Sequence, residues 1–174
     1  RLAGAVIVKT DGPPASAVVR HNTFVDNTTT SESDGTLRMA VDGDVANNVF
    51  RGDRRGLRVK DSPAVTVSNK DFFAFKKGVY KNDGVEHATV AALNAESFAD
   101  GNVDDDPDLV DPTGHHLRPS SQLIGAALCT QTPGTDLDGE VRSQADGCDI
   151  GADEFSTAFG LFFDGFGSGD TGAW

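Results

Sequence analysis

Hydrophobic and polar positions alternate with a period of two over short stretches, among them Leu57-Arg58-Val59-Lys60 and Val65-Thr66-Val67-Ser68. Successive side chains of a strand point to opposite faces, so this alternation predicts half-buried strands. The pattern also recurs. Val19-Arg20-His21-Asn22-Thr23-Phe24, Val45-Ala46-Asn47-Asn48-Val49-Phe50, Val67-Ser68-Asn69-Lys70-Asp71-Phe72 and Leu93-Asn94-Ala95-Glu96-Ser97-Phe98 each set an aliphatic residue five positions ahead of a phenylalanine. Phe24, Phe50, Phe72 and Phe98 follow one another at intervals of 26, 22 and 26 residues. In a second register Leu37-Arg38-Met39 and Leu57-Arg58-Val59 stand 20 residues apart, and Gly35, Gly56 and Gly78 precede apolar runs at intervals of 21 and 22.

Residues five apart in one straight strand face opposite ways, so Val19 and Phe24 reach one core only if the chain turns between them. Asn22 and Asn48 occupy that corner, and asparagine enters the left-handed region more readily than other non-glycine residues. Stacked repeats would set Asn above Asn, so that their amides hydrogen-bond along the stack. A repeat of some twenty residues supplies short strands, a tight corner and a loop, with successive turns spaced at about 4.8 Å. The prediction is an all-β chain, a parallel β-helix or solenoid, whose interior holds a column of Phe24, Phe50, Phe72 and Phe98 and whose corner holds Asn22 and Asn48.

Two other readings compete with this one. Glu86 to Ala99 contains helix-forming residues and could make a short helix, although Leu93 to Phe98 also fits the repeat. A β-sandwich could use similar strands, but antiparallel hairpins do not require one phenylalanine column at near-constant intervals.

At 174 residues the chain is one unit with appendages. Its formal charge of -12, from 27 Asp and Glu against 15 Lys and Arg, excludes a nucleic-acid partner, since phosphates would be repelled. No window approaches the roughly 18 continuous apolar residues of a spanning helix, so no membrane span is predicted. Arg1 is not an initiator and the chain begins in β-like residues, so upstream coils of the same protein, with any signal peptide, are expected. Cys129 and Cys148 lie close together in a polar stretch and lack metal-ligand spacing. That favours one disulfide, worth roughly 3 kcal/mol in the chain-entropy model, over two reduced thiols.

Beyond Phe98 the pattern changes to acidic, turn-rich sequence. A stacked solenoid exposes backbone edges at its end, and the segment 104–155 is expected to cap them. Within it run Asp106-Pro107-Asp108-Leu109-Val110-Asp111, Leu117 to Ala126, Thr135 to Arg142 and Cys148-Asp149-Ile150-Gly151-Ala152-Asp153-Glu154. These four pieces, in this order, resemble the C-terminal part of bacterial secreted right-handed parallel β-helix proteins of the pectate-lyase-like superfamily, in particular the choice-of-anchor Q group. With the repeats, the resemblance covers about residues 16–155. It implies a secreted protein, extracellular or at the cell surface, organised as parallel β-helix coils over 1–103, a loop-rich C-terminal cap over 104–155 and a Gly/Phe-rich tail over 156–174. The family includes lyases, hydrolases and surface proteins, so the fold does not select an activity.

Chemistry in this family typically needs carboxylates that hold Ca²⁺ against an acidic polysaccharide and a basic residue that removes a proton. Asp42, Asp44, Asp53 and Arg58 are the catalytic candidates, with Asp61, Arg54, Arg55 and Lys60 nearby; none matches a family catalytic motif. Asp42 and Asp44 are also the candidate carboxylate pair for glycoside hydrolysis, against the plainer reading of a turn about Gly43. Asp104, Asp106 and Asp108 are candidate Ca²⁺ ligands, although their run lacks the alternating spacing and terminal Glu of a dedicated loop, and Asp136-Leu137-Asp138-Gly139 shows the same defect. His115 and His116, adjacent in an extended segment, would point apart rather than chelate one ion. No phosphate loop, serine-nucleophile elbow or zinc pattern occurs. Two functional classes follow. The first is a non-catalytic structural or glycan-binding module, with a polysaccharide or cell-surface glycan as partner and no cofactor required. The second is part of a Ca²⁺-dependent polysaccharide lyase or glycan hydrolase whose catalytic coils lie partly upstream.

Overall fold

The computed structural model describes residues 6–9, 12, 15–27, 35–52, 54–61, 63–110, 114–130, 133–142 and 147–156. Asp53 and all of the tail beyond Ser156 lie outside the described residues. In chain order the elements are β1 (Val6–Val8), β2 (Ser16–Arg20), β3 (Thr23–Val25), β4 (Leu37–Met39), β5 (Asp42–Ala46), β6 (Val49–Arg51), β7 (Arg55–Val59), β8 (Val65–Ser68), β9 (Asp71–Phe73), β10 (Gly78–Asn82), β11 (Val85–His87), α1 (Val90–Asn94) and β12 (Ala99–Asp100). They form three sheets. The first runs β1-β4-β7-β10, parallel throughout, with β11 added antiparallel to β10 by a tight turn. The second is β2-β5-β8-β12 and the third β3-β6-β9, both parallel. Each of the first three passes of the chain therefore gives one strand to each sheet, the fourth meets the third sheet only through the Asp71–Val103 bridge, and equivalent residues of successive passes sit side by side.

That register stacks like on like. Phe24, Phe50 and Phe72 pair across β3, β6 and β9, their rings 4.9 and 5.2 Å apart and within 13° and 10° of parallel. The ring spacing is close to the inter-strand distance of about 4.8 Å, so the backbone ladder itself sets the stack. Around this column pack Leu37, Leu57 and Tyr80, then Met39 with Val59, and Val45 with Val67, all buried.

Phe98 leaves the column predicted for it. Ala99 pairs with Val67 and Asp100 with Ser68, so the fourth pass is 32 residues long at the corner and its in-register segment begins at Ala99. The interposed residues form α1. Thr89 caps it by accepting the N–H of Ala92 at 3.2 Å, and Val90 and Leu93, three apart on one face, are buried. Those two side chains join the apolar interior beside the last strands, and the Phe98 ring lies against Tyr80 at 5.4 Å.

The corner differs by one residue from the sequence reading. Positive φ falls on His21, Asn47, Asn69 and Gly101, at 50°, 52°, 46° and 62°. The residues that follow them, Asn22, Asn48, Lys70 and Asn102, make the ladder. Asn48 Oδ1 accepts from the Asn22 backbone N–H (3.0 Å) and side-chain amide (2.9 Å), while Asn48 Nδ2 donates to Val19 O and Ala46 O at 2.8 Å each. Lys70 takes the same donor role one pass later, its ammonium donating to Val45 O and, at 3.2 Å, to Ser68 O. Asn102 then donates to Val67 O at 3.1 Å and accepts the Lys70 N–H at 3.2 Å. Asn94, the last residue of α1, closes the series by accepting the amide of Asn102 at 2.7 Å.

Residues beyond Val103 run back along the stack. The outer face of the third sheet carries Val49, which packs with Leu117, Leu123 and Ile150 into a second small core. The outward-turned corner amides find partners there as well: Asn47 donates to Leu128 O and accepts its N–H, and Asn69 donates to Ala126 O. Gly151 N–H reaches Asn47 O at 3.0 Å and Ala152 N–H reaches Thr23 Oγ1 at 3.0 Å. Gly151 is needed at this contact, because its φ is 121° and a Cβ would stand 3.0 Å from both Thr23 Oγ1 and Val49 Cγ2. The segment expected to plug the end of the stack is thus a lateral brace, and α1 packs at the last strands. Cys129 and Cys148 form a disulfide within it.

Removing the central ring, Phe50→Ala, should cost about 3 to 5 kcal/mol in chemical denaturation, because its neighbours are held apart by the ladder and cannot close the gap. Asn48→Ala should cost about 1 to 3 kcal/mol, since it strands buried carbonyl and amide partners; an unchanged midpoint for either variant would refute the stacking that links them.

Candidate functional site

The outer face of the first sheet carries a basic column. Arg38 pairs with Arg58 across β4 and β7, and Arg58 with Lys81 across β7 and β10. All three are half-buried, whereas Leu37, Met39, Leu57 and Val59 beside them have no exposed surface, so the column faces outward. Cations directly opposite one another on neighbouring strands repel, so the outer face, where water screens them, is the place the fold can hold such a column. At its edge Glu86 of β11 supplies one counter-charge: it pairs with buried Arg55 and stands 3.5 Å from Lys81 Nζ. The hydrogen bond from Arg55 holds the Glu86 carboxyl below the usual carboxylate range. The column belongs to a wider segregation. Residues 35–81 carry ten Lys and Arg against five Asp and Glu, whereas the remainder carries five against 22.

The predicted catalytic carboxylates stand elsewhere. Asp42 and Asp44 lie on β5 in the second sheet and Arg58 on β7 in the first. Asp44 is held by Arg20 Nε at 2.6 Å and by Thr66 Oγ1 at 2.5 Å, and Asp42 Oδ1 accepts the Ala64 N–H at 2.8 Å. Both acids tie neighbouring passes together. Asp106 Oδ1 accepts the Asp108 N–H, and Asp108 itself is occupied by Ser120 and by Arg118 at 3.6 Å. Among the described residues, Asp104, Asp106 and Asp108 are not in a group whose oxygens come within 4.8 Å of one another.

Such groups form in the lateral brace. Asp136, Asp138, Glu140 and Asp153 each place one oxygen within 4.8 Å of the others, and His115, His116 and Asp138 do likewise. The two histidines do not point apart; their rings lie 4.1 Å from each other, because this stretch is irregular rather than a strand. Asp138, Glu140 and Asp153, with His116, Leu117, Glu154 and Phe155, line a cavity of about 780 Å³. Asp136, Asp138 and Glu140 occupy alternate positions, so the turn about Gly139, whose φ is 91°, aims them together. The signal missed in the sequence was this alternation, with the fourth carboxylate supplied thirteen residues later rather than at the end of one loop.

The wall behind the cavity is built by buried charges. Arg142 donates to the carbonyls of Gly151 and Ala152 at 3.2 and 2.7 Å and pairs with Glu154 Oε2 at 3.2 Å, both side chains being buried. Asp149 accepts the N–H of Gly125 at 2.7 Å and of Phe155 at 2.6 Å; burial nonetheless pushes its carboxyl up to about 6. Asp136 Oδ2 accepts the Glu154 N–H at 3.1 Å, and Asp153 Oδ2 the Leu117 N–H at 2.8 Å. The Asp-x-x-Gly-x-x-Arg and Cys-Asp-Ile-Gly-Ala-x-Glu stretches therefore act as one clamp.

No protein-family model, curated protein or solved structure matches this chain. Among the described residues no helix is long and apolar enough to cross a membrane.

Asp71 offers a test of how the brace meets the sheets. It follows Val49 in the outward column, and Val103 bridges to it on the next pass. Its side chain is fully buried, and neither carboxylate oxygen has a hydrogen-bond partner. Burial, with Asp105, Asp104 and Asp106 adding repulsion, pushes its carboxyl up to about 9. The folded state thus binds a proton that the unfolded chain releases near pH 4, and its stabilisation fades as pH rises toward 9. The stability of Asp71→Asn relative to wild type should rise by on the order of 5 kcal/mol between pH 4 and pH 8 in paired denaturation curves; a pH-independent difference would place the carboxylate in solvent.

Proposed function

We propose that this chain is the C-terminal part of a secreted right-handed parallel β-helix protein of the pectate-lyase-like type, and that it works as a non-catalytic module binding anionic polysaccharide along its first sheet. The observation that carries the reading is the in-register column of Arg38, Arg58 and Lys81 on an otherwise acidic chain. A polymer bearing a carboxylate or sulfate on each sugar presents charges in a row, and a stack of strands presents cations in a row, so several weak contacts act together. The disulfide suits an oxidising compartment. Asp42 and Asp44 support the non-catalytic side of the reading, because each is engaged in holding one pass to the next and neither shares a sheet with Arg58. Ca²⁺ is not needed for this binding.

Affinity electrophoresis in gels containing polygalacturonate, alginate or neutral dextran tests the proposal. The expected result is retardation by the two polyuronates and not by dextran, weakening with salt, and about tenfold or more lost in Arg38→Glu/Arg58→Glu. Equal retardation of the double variant would overturn the assigned face. Ultraviolet absorbance of unsaturated product after incubation with polyuronate and Ca²⁺ would replace the module with a lyase.

A further inference from the structure

The outward column of the first sheet can be followed across all five of its strands. Ile7 on β1 pairs with Arg38, Arg38 with Arg58, Arg58 with Lys81, and Lys81 with Glu86 on β11. Val6 and Val8 pair with the inward-facing Leu37 and Met39, so Ile7, between them, points outward with the cations. The three cations are thus bounded by an aliphatic side chain at one end and by a carboxylate at the other. Adjacent strands stand about 4.8 Å apart, so each side chain of the column occupies one step of a regular series. β11 alone breaks the parallel order of the sheet, and this strand, folded back through the turn at Asp83 and Gly84, carries the carboxylate into the column.

Glu86 is held in that place from two sides. The Arg55 guanidinium, buried at the start of β7, donates to Glu86 Oε1, and Lys81 Nζ lies 3.5 Å from Oε2. These are the contacts that the cations of this face would give to a ligand carboxylate, so Glu86 already fills the position of a fourth anion beyond Lys81. A second carboxylate brought to that step would lie within about 5 Å of the first, where like charges on a partly exposed surface repel. At the other end Ile7 has no charge to offer. A polyanion laid along the column therefore gains an ion pair on each of β4, β7 and β10 and no further one at either end.

Resting on the glycan reading of this face, we infer that Glu86 terminates the anion track: the first sheet seats three consecutive charged sugars of an acidic oligosaccharide, one each at Arg38, Arg58 and Lys81, and a longer chain leaves the sheet at β11. Oligogalacturonates from the dimer to the hexamer are titrated calorimetrically against the full chain and against its Glu86→Gln and Glu86→Asp variants. Wild-type affinity should rise from dimer to trimer and then level off, apart from the small statistical gain of a longer chain. Glu86→Gln keeps an oxygen for Arg55 and replaces the charge by an amide donor. It should bind the tetramer about two- to fivefold more tightly than the wild type does, and move the plateau to that length. Glu86→Asp keeps the charge, so its plateau should stay at the trimer; a plateau moved by both variants would assign the limit to lost packing against Arg55 and overturn the role of the charge. Wild-type affinity that keeps climbing beyond the trimer, or an unchanged plateau in a Glu86→Gln variant that melts like the wild type, overturns it as well and leaves the glycan face standing. No binding of any oligomer by the wild type removes the face itself, and the terminus with it.

Discussion

In-register parallel pairing is the constraint from which the remaining features follow. When equivalent residues of successive passes are neighbours at about 4.8 Å, each column must consist of groups that tolerate their own kind at that distance. Aromatic rings do so, and Phe24, Phe50 and Phe72 stack nearly parallel. Amides do so because each carries donors and an acceptor, and Asn48 uses both. Cations do so least well, so the Arg38, Arg58 and Lys81 column stands on the outer face, in reach of solvent and of anions.

Two adjacent residues break their columns, and they break them in instructive ways. Lys70 stands where asparagine would, and its ammonium reproduces the two donor contacts of Asn48 but has no acceptor to offer in return. Its full burial pushes the ammonium well below the usual lysine range. Asp71, next in the chain, faces the brace from a position held by Val49 one pass earlier and Val103 one pass later. Neither forms an ion pair with the other, because successive residues of an extended chain face opposite sides. The third pass therefore carries buried ionisable groups at the place where the neighbouring passes carry amides and aliphatic side chains.

The lateral brace explains how a segment with little regular structure stays ordered. It borrows its partners from the sheets: Val49 for its small core, Asn47 and Asn69 for its carbonyls, and Thr23 for the N–H of Ala152. Arg142, Asp149 and Glu154 then fix its own backbone from inside, and the disulfide closes it. The acidic cavity is a consequence of this clamp, since the same turns that satisfy Asp136 and Asp153 bring their carboxylates beside Asp138 and Glu140.

The strands, their parallel stacking and the phenylalanine column were legible because a repeat of 22 to 26 residues is local information written several times. The one-residue error at the corner arose because His21 and Asn47 both adjoin an asparagine, and only backbone geometry separates the residue that turns from the one that bonds. Phe98 had the right spacing, but Thr89 capping a short helix with Val90 and Leu93 buried shifted the register, a competition between local patterns that burial settles. The basic column could be sensed from Arg38 and Arg58 in repeated positions; its Lys81 member required the register of β10. By itself the sequence determined what recurs along the chain. Tertiary structure decided what meets across it, including the placement of Asp153 beside Glu140 and of the C-terminal segment along the side of the stack, because contacts between non-repeating segments leave no periodic trace.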